Sequence, residues 1–258
     1  METAPDTTDP GSTPSPTSVW PRLINVFVAP GEVFEEVKQS APRVSNWLVP
    51  VLIYVVVGVI SSFVIFSQPA IIQQIHDQQA KAMDQQVKNG KMTQAQADQA
   101  TAAMDKFAGP TMMKIFGSVG AAVGSFIHLL WWGFLLWLLG RWFMGVKTPF
   151  LKNIEIAGLT TMILALGMIV SILLTVITGK LGMTPSLALL VSNFDMKNKA
   201  HLLLAAVNVF SFWQIGVLAC GLSRLTGATF AKAVLVIAAY WAAYTLFFIL
   251  IGFGQMAM

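Results

Sequence analysis

Three histidines have the chemistry to move a proton or hold a metal, and their placement argues against both. His76, His128 and His201 fall in different stretches, with no His-Glu-x-x-His-type spacing to bring two imidazoles to one ion. The single cysteine, Cys220, lies inside an apolar run, so neither a disulfide framework nor a cysteine metal site can be assembled. Serines within the apolar runs lack a His and Asp pair to activate them, and no glycine-rich phosphate loop is present. The sequence therefore assigns no catalytic residue, no metal ligand and no cofactor. Glu155, three residues after Lys152, reads as half of an interfacial ion pair rather than as an acid catalyst.

His128 is the one ionisable residue deep within an apolar run. Ionisable groups at membrane depth are functional candidates by default, as ion relays or ligand contacts. The ordinary alternative is a neutral imidazole bonded to a polar side chain of a neighbouring helix, worth about 0.6–2 kcal/mol. Asn208, Ser211 and Gln214, in a later apolar run, carry the same two readings, and Asn208 lies 80 residues after His128.

The remaining candidates are cations and aromatics in a motif stated twice. Gly140 to Lys152 reads GRWFMGVKTPFLK and Gly221 to Lys232 reads GLSRLTGATFAK, each joining two apolar runs. Each is expected to hold a small residue closing one helix, an Arg, a short turn, then Phe-x-Lys at the mouth of the next helix. Anchoring the repeat on the two glycines gives an offset of 81 and loses the match of His128 with Asn208. Arg141, Lys147, Phe150, Lys152, Arg224, Phe230 and Lys232 are the candidate binding residues, with seating of the helices at the interface as their first role. The doubled unit has two spans, so its copies run parallel, with both connectors on one side of a membrane.

The elements that position these residues are membrane helices. The chain is 55% hydrophobic and 11% charged, against about 25% charged in soluble domains. Its apolar blocks reach the 20 or so residues needed to cross roughly 30 Å of hydrocarbon. The net charge of +4 is small and its cations are spread along the chain, which excludes a nucleic-acid surface.

Residues 1–18 hold Pro, Thr, Ser and Asp without core formers and read as a disordered tail. Lacking a basic start and an apolar stretch, they do not form a signal peptide. Trp20 to Arg43 is amphipathic: Val33, Phe34 and Val37 share one face, with Glu32, Glu35 and Glu36 on another, and the segment is expected along the interface. Spans follow at about Trp47 to Phe66, Ile115 to Leu139, Ala157 to Thr178, His201 to Leu222 and Ala231 to Phe253. Gly120 and Gly124 in the second, extended by Gly117, Ala121 and Ser125, form a small-xxx-small step for close helix approach. Trp137 and Trp142 read as interface anchors, while Trp131 and Trp132 pack deeper.

Between the first two spans, residues 67–110 predict a solvated helical hairpin, broken at Asn89-Gly90 and restarted by the capping box Thr93-x-x-Gln96. Its thin apolar stripe is Ile72, Ile75, Met83, Val87, Ala97, Ala100, Met104 and Phe107. The expected fold is an all-α integral membrane bundle of five transmembrane helices over 19–254, with an N-terminal interfacial amphipathic helix and an extracytoplasmic hairpin.

Five spans put the chain ends on opposite sides. The Lys and Arg totals tie at eight each, but Arg22, Arg43, Arg141 and Arg224 all fall on the side of the N-terminus. Most Lys on the other side lie along the hairpin, away from the span ends where the bias acts. That favours a cytoplasmic N-terminus in a cell membrane.

Three stretches carry a resemblance. LINVFVAPGEVFEEVKQS followed by WLVP, then TPFLKNIEIAGLTTMILALG, then ATFAKAVLVIAAYWAAY resemble the prokaryotic branch of the Yip-one family, five-span relatives of the Ypt/Rab-interacting membrane proteins. The likeness covers roughly residues 20–254 and rests on hydropathy and on Pro, Phe and Gly placement. It implies a multi-pass membrane scaffold with a cytoplasmic N-terminus. The vesicle-traffic role of the eukaryotic members does not carry over.

The leading functional expectation is a non-enzymatic scaffold in the lipid bilayer that recruits a membrane or cytoplasmic protein, or a second copy of itself. The alternatives are a small transporter or lipid-handling protein, to which a hydrated cavity at His128 would point, and a lipid-directed enzyme, for which no converging polar groups are found.

Overall fold

The computed structural model describes residues 18–107, 109–192, 194, 195 and 198–252. The expected tail up to residue 17, Lys197 and residues 253–254 lie outside them, as do the side chains of Met104 and Phe107 in the hairpin stripe. The described chain is helical: α1 Val19–Val28, α2 Pro30–Gln39, α3 Ser45–Ile65, α4 Pro69–Lys88, α5 Gln94–Phe107, α6 Pro110–Trp142, α7 Phe150–Thr178, a 3-10 turn Leu187–Leu190, α8 Lys199–Ala206, α9 Val209–Thr226 and α10 Phe230–Leu250. Five of them (α3, α6, α7, α9 and α10) are long and apolar enough to cross a membrane. The chain is an all-α, multi-pass membrane bundle.

α7 is its hub. Residues Lys152 to Thr161 are buried at every position, the pattern of a helix surrounded on all sides. Ile154 fills the space above Gly133 of α6, where an added Cβ would stand 2.2 Å from Ile154 Cδ1. Ile156 occupies the equivalent space at Gly221 of α9, at 2.4 Å. Gly158 brings α7 so close to α3 that a Cβ there would lie 2.4 Å from Trp47 Cα. Three alternate residues of one helix thus dock on three different neighbours.

These contacts correct part of the sequence reading. Gly140 and Gly221 do not close helices; both are buried within α6 and α9 as packing sites. The helix-ending glycine of the second connector is Gly227, whose φ of 75° is one that Gly adopts without strain. Gly120 and Gly124 meet nothing within 4 Å. The close crossing of α3 and α6 uses two residues that extend the step, Ala121 against Gly58 and Gly117 against Ser62.

The fourth span also differs. In place of one helix over His201 to Leu222, the chain breaks at Val207 and Asn208. Asn208 takes an extended conformation and its Oδ1 accepts the Phe210 N–H at 2.9 Å, capping α9. Leu187 N donates to Val207 O at 3.1 Å and Val209 N to Pro185 O at 3.2 Å, so the 183–191 loop pairs with the break. Asn is favoured at such caps because its side chain substitutes for the missing helical acceptor. The third span, expected from Ala157, starts at Phe150; its charged first turns are helical because they are buried in the bundle rather than exposed.

Both connectors lie at one end. A Cβ on Gly140 would stand 3.5 Å from Thr226 and 3.7 Å from Thr148, linking the α6–α7 turn to the end of α9. α1 and α2 pack on this connector end. At the other end lies the α4–α5 hairpin, where Thr93 N donates to Gln96 Oε1 at 2.9 Å in the capping box. Gln74 joins the hairpin to the turn after α7, donating to Gly179 O at 2.6 Å and accepting from Leu181 N at 3.1 Å.

Gly158→Val is expected to destabilise the bundle by about 1–3 kcal/mol or more through overpacking, read as a lower thermal midpoint in detergent. Gly124→Ala, with open space around it, leaves the midpoint unchanged. Equal effects from the two would refute the α3–α7 approach.

Candidate functional site

At the connector end the polar side chains converge. α1 is amphipathic, burying Arg22, Leu23 and Val26 while Trp20, Ile24 and Val28 face outward. α2 begins with Pro30, where a missing N–H costs little, and buries Val33, Phe34 and Val37 as its spacing predicts. Its opposite face carries Glu36, which binds Arg22 through two bonds, Nη2 to Oε1 at 2.6 Å and Nε to Oε2 at 3.2 Å. The third donor of that guanidinium, Nη1, reaches Asn46 Oδ1 at 2.9 Å.

Asn46, on the first turn of α3 and fully buried, passes the chain on by donating Nδ2 to Glu155 Oε1 at 2.7 Å. The same oxygen accepts the Arg43 N–H at 2.8 Å. Glu155 Oε2 pairs with Lys152 Nζ at 3.0 Å, and Lys152 also donates to Val37 O of α2. One connected network, Glu36–Arg22–Asn46–Glu155–Lys152, therefore ties α1 and α2 to α3 and α7. Its two cations and two carboxylates cancel.

Each buried charge has its counterion: Glu155 Oε1 accepts two hydrogen bonds, and Oε2 faces the Lys152 ammonium as an ion pair. Desolvating such pairs costs several kcal/mol per ion, which opposes the Coulomb gain, but removing one member strands the other and costs about 3–5 kcal/mol. The network is thus a positional device that penalises any other placement of α1 and α2.

The sequence-predicted residues divide around it. Lys152, expected to anchor α7 at the interface, is instead buried in the network, because the carboxylate it neutralises is one turn away. Lys232, its counterpart in the second connector, is exposed. Phe150 stands edge-on to Trp137 at 6.4 Å, and Arg141 lies over the same indole at 5.8 Å, within cation–π range. Lys147 is exposed and apart from these.

Arg224 and Phe230 come together with Glu35, Lys38, Cys220 and Ser223 around an open cleft of about 450 Å³ between α2, the end of α9 and the start of α10. The Arg224 guanidinium lies across α2 at Gly31, where a Cβ would meet its Nη2 at 3.2 Å. The structure does not join this cleft to Arg141 and Lys147.

The intramembrane candidates also separate. His128 and Gln214 meet, Nε2 to Nε2 at 3.1 Å, with Trp132 packed against the imidazole at 6.3 Å. Asn208 is not part of this pair; it is the α9 cap. Hydroxyls within the spans mostly return to their own helix, as Ser62 does to Gly58 O and Thr160 to Ile156 O, a local bond that satisfies the donor within the apolar bundle. Among the described residues no group of three His, Cys, Asp or Glu could hold a metal ion.

Sequence reasoning did not assemble the network, because Lys152 and Glu155 on α7 lie far along the chain from Arg22, Glu36 and Asn46 on α1, α2 and α3. The available signs were an Arg on the apolar face of an amphipathic segment and a Lys-x-x-Glu pair at the head of an apolar run.

Glu155→Ala is expected to cost about 3–5 kcal/mol by stranding Lys152, lowering the thermal midpoint and speeding proteolysis in the 40–44 segment between α2 and α3. Adding Lys152→Met recovers part of the loss; a single variant as stable as wild type would contradict the network. His128→Leu and Gln214→Leu each cost about 0.6–2 kcal/mol, and the double variant costs less than their sum, because they remove the same bond. Full additivity in that cycle would show that the two residues do not interact.

Comparison with curated proteins and with solved structures gave no match. The family description for the Yip1 domain matches residues 24–252. That range starts within α1 and ends just beyond α10, so it takes in both connectors, all five spanning helices and every member of the polar network except Arg22. The chain belongs to the Yip1 domain family.

Proposed function

We propose that the chain is a non-enzymatic membrane scaffold of the Yip type, set in the cell membrane with its connector end toward the cytoplasm, where it presents a fixed polar surface to a protein partner. The observation that carries this reading is the network that fastens α1 and α2 to the bundle. A surface held in place by buried charge pairs loses little freedom on binding, which favours association. Around it Lys38, Arg141, Lys147, Arg224 and Lys232 stand exposed, and among the described residues none of them forms an ion pair. Such cations suit an acidic partner surface.

The orientation rests on arginine placement. Arg22, Arg43, Arg141 and Arg224 are all at the connector end, the distribution associated with a cytoplasmic face. The pairing of His128 with Gln214 supports interhelical adhesion as that residue's role and so weighs against transport through it.

Two measurements test the reading. In a Cys220→Ser background, an impermeant maleimide on intact cells should label Asn89→Cys in the hairpin and spare Lys147→Cys; the reverse pattern overturns the orientation. Affinity purification in mild detergent should recover a protein partner with wild type and lose it with the combined Arg141→Gln, Lys147→Gln and Lys232→Gln variant. Recovery of no protein and no second copy with wild type would sink the scaffold.

A further inference from the structure

The cleft between α2 and the α9–α10 turn has features that partner recruitment does not require. Its wall carries Lys38 from α2 and Arg224 from α9, with Glu35 beside them. Glu35 already accepts a bond from Gln39 Nε2 at 3.0 Å, one turn along α2. Neither cation has an ion-pair partner among the described residues. Two cations against one carboxylate leave the cleft one positive charge in excess, which a singly charged anion would neutralise and a doubly charged one would overshoot.

The surroundings place the cleft at headgroup depth. Phe230 forms part of its lining and is itself exposed. Trp20, Trp142, Phe143 and Phe150 are exposed at the same end of the bundle, the arrangement of an aromatic belt at a membrane–water boundary. α1 adds an outward apolar face of Trp20, Ile24 and Val28 at this end. A ligand entering sideways would therefore meet apolar surface with its body while its charged group reaches Lys38 and Arg224.

We infer that this cleft binds the phosphodiester headgroup of an anionic glycerophospholipid, with Lys38 and Arg224 on the phosphate and Phe230 against the glycerol and upper acyl chain. The phosphate chemistry alone is shared with free phosphate in solution, and the belt of aromatics favours the lipid as its source. This site stands independently of whether a protein partner binds the same face.

Cys220 supplies the readout, since it is the only cysteine in the chain and lines the cleft. The full-length protein is placed in nanodiscs of phosphatidylcholine or of phosphatidylglycerol, and labelling of Cys220 by a water-soluble maleimide is timed. Each Lys or Arg near a membrane surface favours anionic lipid by roughly a factor of 5, so labelling is expected to be at least about fivefold slower in phosphatidylglycerol. The Lys38→Gln/Arg224→Gln variant in the same discs carries the general surface-charge effect alone and should lose most of that slowing, while Lys38→Arg/Arg224→Lys should keep it. Both positions are exposed, and matching thermal midpoints confirm that the variants fold.

Equal rates in the two lipids, equal slowing in the Gln variant, or no labelling in either disc would overturn the site. Inorganic phosphate that protects Cys220 in phosphatidylcholine as well as phosphatidylglycerol does would overturn the lipid assignment.

Discussion

The carboxylate of Glu155 is the constraint on which the connector end depends. It lies almost wholly out of water, and an ion in that position is tolerated only when donors surround it. Here they arrive from three directions: the Asn46 amide on α3, the Arg43 backbone before it and the Lys152 ammonium on α7. None of the three can move by an ångström or two without leaving charge unsolvated. Because Asn46 also accepts from Arg22, and Arg22 grips Glu36, the same constraint reaches α1 and α2. The close approach of Gly158 to Trp47 follows one turn further along α7, so packing and charge specify the same geometry.

The two connectors differ in length and in chemistry, with residues 143–149 between α6 and α7 but only 227–229 between α9 and α10. Phe150 and Phe230 both open their helices, and Lys152 and Lys232 both follow two residues later. In the first copy the next charged residue is Glu155, and its helix goes into the middle of the bundle. In the second, the position 80 residues on is Leu235, which is exposed. A helix with a leucine there can face lipid, whereas one with a carboxylate must find partners inside. α7 is the hub and α10 a peripheral helix for that reason, and the cation freed in the second copy stays at the surface.

Much of the fold was legible because hydropathy alone marks membrane helices. The apolar runs at 47–66 and 231–253 correspond to α3 and α10, and Asn89-Gly90 with Thr93-x-x-Gln96 marks the turn and restart of the hairpin. Misreadings occurred where a residue type has two uses. Gly140 and Gly221 look like helix stops but lie within their helices, and Gly221 is a socket for Ile156 of α7, a property set by the partner helix and invisible locally. Asn208 looks like an intramembrane polar group but is a cap, decided by the 183–191 loop. The cleft was half legible: Arg224 and Phe230 stood out through the repeat, while Glu35 and Lys38 come from an element nearly two hundred residues earlier. His128 was recognisable as an outlier, but its partner could be identified only from the crossing of α6 and α9.

The break at Asn208 has a bearing on the bilayer itself. α9 has 18 residues, or about 27 Å at 1.5 Å per residue, a little less than a typical hydrocarbon core. The shortfall lies at the hairpin end, where α8 and the Leu187–Leu190 turn sit beside the helix start. Backbone that leaves a helix at such depth must find its hydrogen bonds within the protein, and Pro185 and Leu187 supply them. The fourth crossing is therefore completed by two pieces of chain that are not consecutive. Leu187, Leu189 and Leu190 stand exposed beside that start, so loop residues offer the apolar surface that one more helical turn would have given, where a short span otherwise calls for local thinning of a bilayer.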